Sequence, residues 1–215
     1  MKKLFNEDNF LMRGLSFLCD LIVLNIVFLI SCIPLFTIGA AISALYHVAI
    51  RMVRKEDMYI GVAFFKAFRD CFKQSTLLFL PLLLACAFFG ADLYIIHKVI
   101  DPAYTYLQYP IWFIVFALIS IMIYAFPLIG MYENKTKQVL KNAILLSLSN
   151  IPTTIFIIVL HLFVIFLCSR SGETLVIIFS LALFFGCAAM AHFCSLFLSR
   201  ILARCEQPAQ PGQPQ

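Results

Sequence analysis

One apolar run, from Leu15 to Val53, contains only Asp20, His47 and Arg51 as ionisable residues. It is longer than the roughly 20 residues that a helix needs to cross about 30 Å of hydrocarbon. Pro34 lies near its middle, followed by Thr37 and Gly39. Proline removes a backbone donor and disfavours helix at the residue before it, so the run divides into two helices, at about 15–33 and 37–53. Four more runs of crossing length follow, at about 76–97, 109–131, 151–168 and 174–199. The expected fold is therefore an all-α, polytopic transmembrane helical bundle of about six helices. Five crossings plus a re-entrant helix at 37–53 is the variant.

Composition agrees with this reading. The 215 residues are 63% hydrophobic and only 13% charged, whereas soluble domains carry about 25% charged residues. A chain this short has too little interior to hide so much apolar surface from water. A soluble globule, a disordered chain and a nucleic-acid binder are all excluded, and no nucleic acid is expected as partner. The positive charge instead follows the rule that Lys and Arg gather in cytoplasmic loops. With six crossings and both termini cytoplasmic, all of the 16 Lys and Arg except Lys98 and Arg170 fall on the cytoplasmic side. Residues 1–206 form one transmembrane domain. Residues 207–215, rich in Pro and Gln, are expected to be a disordered tail. Asn6, Glu7, Asp8 and Arg13 interrupt the N-terminal segment in a way that a cleaved leader does not show.

Two segments have the pattern of amphipathic helices. In 60–75, Phe64, Phe68 and Phe72 recur every four residues, while Lys66, Arg69 and Lys73 form a separate stripe. Such a helix either lies at the membrane surface, cations toward anionic headgroups, or packs its apolar face on the bundle. A weaker example carries Lys137 and Lys141 on one face.

The stretches SCIPLFTIGAAISALYHVAIRMVRKED and FFKAFRDCFKQS, within Asn25 to Ser75, resemble the YesL-like family of small bacterial integral membrane proteins, a domain-of-unknown-function family. The rest of the chain agrees with that family in hydropathy and length. The resemblance implies a multi-pass protein of the bacterial cytoplasmic membrane, linked to carbohydrate transport, with an ABC transporter permease or a sensor kinase as candidate partner. It implies no biochemical activity and carries no site residues across.

The residues themselves offer few chemical groups. Asp20 lies inside an apolar helix, and membrane charges face the bundle and pair with one another. In a hairpin of the first two helices it falls level with Arg51, so an Asp20–Arg51 ion pair is one reading and a proton or cation relay through Asp20 the sharper one. Asp20, Asn25, Asp92, His161 and His192 are the only candidates for a polar pathway. Asp92 sits near the outer end of its helix, where a solvated carboxylate is the plainer reading. His161 and His192, with Cys187 and Cys194 nearby, lack the closely spaced ligand pairs of common zinc sites. Imidazoles hydrogen-bonded between helices are the ordinary alternative. The eight cysteines read as reduced small hydrophobes. Gly39, Ala40, Ser43 and Ala44 give the second helix a small-residue face for close packing or for a homo-oligomer.

There is no Walker A loop, HExxH or GxSxG motif, and no metal or cofactor is expected. The expected function is a non-enzymatic accessory or regulatory membrane component associated with carbohydrate uptake or sensing. A small-solute transporter or channel subunit is the alternative.

Overall fold

The fold is that of a computed structural model, which describes residues 10–98, 106, 108–170 and 172–206. The expected tail at 207–215 lies outside them. Among the described residues eight α-helices follow in order: α1 (Phe10–Ser31), α2 (Ile38–Val53), α3 (Ile60–Lys98), α4 (Gln108–Met131), α5 (Thr136–Ser149), α6 (Ile151–Cys168), α7 (Gly172–Leu181) and α8 (Cys187–Glu206). A π-helical turn at Ala182–Gly186 joins α7 to α8 without a break. Among the described residues there is no strand, and six helical stretches are long and apolar enough to cross a membrane.

The turn between α1 and α2 forms where Pro34 ends helical geometry. Thr37 Oγ1 closes it with hydrogen bonds to the Ser31 and Pro34 carbonyls, both at 2.6 Å. At the other end of α2, Lys55 takes a positive φ of 57°. The Glu56 amide then reaches back to the Arg51 carbonyl at 3.1 Å, which satisfies a C-terminal carbonyl in the manner of a Schellman turn.

α2 is the central helix. Gly39, Ala40, Ala41, Ser43, Ala44, Val48, Ala49 and Ile50 are all buried, so its small-residue face serves packing inside the chain. A Cβ at Gly39 would lie 2.5 Å from Phe79 Cβ, and one at Gly130 would lie 2.5 Å from the Ser43 carbonyl oxygen. Only glycine lets α3 and α4 approach α2 this closely. Ser43 and Ser75 share a hydrogen bond at 2.8 Å across the α2–α3 contact.

The expected division between a surface helix at 60–75 and a crossing at 76–97 is not present. Both belong to the single helix α3, 39 residues long, about 58 Å at 1.5 Å per residue. Gln74, Ser75 and Thr76 include no helix breaker, so nothing in the backbone ends the first half. The phenylalanine stripe packs on the bundle: Phe64 is fully buried among α1 and α2 residues, and its ring stacks 6.2 Å from Phe68. Lys66, Arg69 and Lys73 remain exposed.

The register between α2 and α3 fixes where the first hairpin stands. Thr76 Oγ1 donates to the Phe36 carbonyl at 3.4 Å, and the Phe36 and Phe72 rings lie 6.4 Å apart. The α1–α2 hairpin therefore turns near Thr76, and α2 packs on α3 across the junction of its basic and uncharged halves, with Gly39 against Phe79 and Ser43 against Ser75. Of the other expected helices, 109–131 and 151–168 match α4 and α6 to within one residue, whereas 15–33 is found at 10–31 and 174–199 extends through the π turn over 172–206.

Candidate functional site

The sequence-predicted pairing of Asp20 with Arg51 does not form. Arg51 Nε instead bonds Glu56 Oε2 at 2.5 Å. The cause is the turn after α2, which folds Glu56 back against Arg51. Asp20 is half-buried and lines a separate cleft of about 430 Å³ with Lys55, Glu56 and Asp57.

Nor does the structure gather the five candidate pathway residues. Asn25 is fully buried and bound to helix backbone on every side. Its Nδ2 donates to the Ala182 and Leu183 carbonyls at 3.0 and 2.8 Å, and its Oδ1 accepts from the Ala188 amide at 3.0 Å. A π turn inserts an extra residue and misaligns the regular ladder; Asn25 supplies the missing partners, which makes it a structural residue. Asp92 is half-buried on α3 and makes no hydrogen bond or ion pair with the described residues. The two histidines are not bonded between helices. His161 is exposed and its Nδ1 donates to Ile157 of its own helix at 2.8 Å. His192 Nδ1 has no partner among the described residues, and its ring lies edge-on to Phe17 at 4.9 Å. No group of metal-ligating side chains occurs among the described residues.

The polar side chains that do converge lie where α2, α3 and α4 meet. A cleft of about 620 Å³ is lined by His47 and Arg51 from α2, by Lys66, Asp70 and Gln74 from α3, and by Glu133 and Asn134 just beyond α4. Its geometry follows from the end of α4. The last carbonyls of a helix have no intrahelical partner. Here His47 Nδ1 donates to the Gly130 carbonyl at 2.7 Å, and the Cys71 thiol donates to Ile129 at 3.3 Å. Gln74 Nε2 adds a 2.6 Å bond to the Asn134 carbonyl. With Nδ1 carrying the proton, the neutral His47 ring keeps Nε2 as an acceptor.

Sequence reasoning passed over this cleft. The available signals were His47 and Arg51 one turn apart on α2, and Lys66, Asp70 and Gln74 at successive turns of α3. In the sequence Lys66 belongs to the basic stripe of an amphipathic helix, with nothing to tie it to α2 or α4. Glu133 and Asn134 carry no spacing signal, because the turn after α4 brings them in.

The cleft next to six apolar helices defines a multi-pass helical membrane protein with a polar cleft beside the basic half of α3. Residues 21–93 match the family described as "Protein of unknown function, DUF624". The YesL-like resemblance is consistent with that family, and the match takes in the cleft's polar side chains on α2 and α3, namely His47, Arg51, Lys66, Asp70 and Gln74. No curated protein and no solved structure matches the chain.

Proposed function

We propose that this is a non-enzymatic accessory or regulatory protein of the bacterial cytoplasmic membrane, with both termini cytoplasmic, acting through contacts with a membrane complex. The observation that carries this reading is the use of Asn25. The most deeply buried of the five pathway candidates spends its hydrogen-bonding groups on the backbone of the π turn. A conduit needs polar groups free to exchange partners with a solute, and Asp20 and His161 line different cavities. The link to carbohydrate uptake or sensing, with an ABC permease or a sensor kinase as partner, rests on the YesL-like resemblance.

Proteoliposomes carrying the purified chain test this against the transporter reading. Proton and small-solute flux is expected to equal that of empty liposomes, and Asp20→Asn, His161→Gln and His192→Gln are expected to change nothing. Flux that Asp20→Asn abolishes, with the protein still inserted, overturns the proposal.

A further inference from the structure

The cleft at the end of α4 holds charges of both signs that have not found each other. Lys66 and Asp70 sit one turn apart on α3, within reach of each other, yet neither makes an ion pair or hydrogen bond with the described residues. Glu133, from the turn after α4, is likewise unpaired among them. Arg51 is already compensated by Glu56. This leaves one ammonium and two carboxylates facing a concavity of about 620 Å³, with the free acceptor of His47 at its wall.

The depth of the cleft follows from the helices that build it. Above it, α3 carries no charge from Leu77 to Ala91 and α4 none from Gln108 to Met131. His47 and Arg51 lie in the last two turns of α2, and Gly130 lies in the last turn of α4. Asp70, Gln74 and Asn134 come in the next turns down, so the cleft opens at the headgroup layer, where a phosphate ester meets water.

We infer that this cleft binds a phosphate ester of a primary amine, the headgroup chemistry of phosphatidylethanolamine, with the phosphate on Lys66 and the ammonium on Asp70 and Glu133. A bare phosphate or a purely anionic headgroup would meet two uncompensated carboxylates, which repel it. A ligand carrying both signs satisfies all three side chains. Arg69 and Lys73 stand on α3 outside the cleft and attract anionic lipid without such selection. The inference is independent of the accessory reading.

The test is calorimetric titration of the full chain in a mild detergent with three probes: dihexanoyl phosphatidylethanolamine, dihexanoyl phosphatidylglycerol and water-soluble phosphoethanolamine. Saturable binding of the ethanolamine lipid is expected, at least tenfold tighter than the glycerol lipid. Asp70→Asn and Lys66→Met each weaken it at least tenfold, whereas Arg69→Gln and Lys73→Gln leave it unchanged. All four side chains are exposed, so monodisperse, helical variants are expected, and circular dichroism checks them. Phosphoethanolamine binding as tightly as the lipid assigns the cleft to a soluble zwitterion; binding of the lipid alone assigns it to the bilayer headgroup. Equal affinity for the two lipids, an equal loss in Arg69→Gln, or no saturable binding of any probe overturns the inference.

Discussion

Gly130→Ala tests the packing that forms the cleft. The new Cβ would lie 2.5 Å from the Ser43 carbonyl oxygen and 3.3 Å from His47 Cβ. Ordinary contact begins near about 3.5 Å, so α4 must withdraw from α2 by about 1 Å. The bond from His47 to the Gly130 carbonyl is 2.7 Å, and such a withdrawal takes it past about 3.6 Å, where it ceases to be one. Overpacking costs about 1–3 kcal/mol and the lost bond about 1 kcal/mol, while alanine in a helix recovers about 1 kcal/mol. The net expectation is a loss of about 1–3 kcal/mol, read as a lower thermal midpoint in mild detergent. Gly90→Ala is the matched control, since nothing lies within 4 Å of its new Cβ; it should hold or gain stability. His47→Gln supplies a second readout, costing stability in the native chain and almost none in the Gly130→Ala background. If Gly130→Ala is as stable as Gly90→Ala and the His47 effect is the same in both backgrounds, the close α2–α4 contact is not what builds the cleft.

Three further outcomes follow from the fold. Asn25→Leu strands two carbonyls of the π turn and one amide of α8, at about 1–3 kcal/mol for each buried group, so thermal stability should fall by at least about 3 kcal/mol; deleting Phe184, which restores a regular helix, should remove most of that penalty. In a charge-reversal cycle, Arg51 is expected to couple to Glu56 by no more than about 1 kcal/mol, as exposed pairs do, and to Asp20 not at all; coupling to Asp20 would reinstate the hairpin ion pair. In a cysteine-free background, Phe36→Cys paired with Phe72→Cys is expected to crosslink under mild oxidation while Phe36→Cys paired with Phe88→Cys is not, because the Phe36 and Phe72 rings lie 6.4 Å apart and the Phe36 carbonyl is held by Thr76; equal crosslinking of both pairs would refute the α2–α3 register.

The helices were legible because crossing a bilayer demands long apolar runs, and such runs leave few alternatives. α6 at Ile151–Cys168 follows directly from its uninterrupted apolar residues. The length of α3 was not legible, because amphipathicity looks the same whether the apolar face meets lipid or another helix. Phe64 resolves it by packing against α1 and α2. The π turn was hidden for a similar reason: Ala182–Gly186 lies in an apolar stretch whose composition is indifferent to one extra residue. Its one polar sign was Asn25, more than 150 positions away. The Arg51 partner was missed because a reading by depth pairs residues across the hairpin, while the left-handed Lys55 brings in a neighbour five residues on. The cleft needed three helices to be placed before its charges could be seen together.

The central claim, that the chain works through contacts with a membrane complex, is tested most directly by purifying it in mild detergent from native membranes and identifying by mass spectrometry what comes with it. The account predicts one membrane complex recovered reproducibly and in fixed ratio, unchanged by Asp20→Asn or His192→Gln. A homo-oligomer with nothing attached, under conditions that keep other complexes of the same membrane intact, would contradict it.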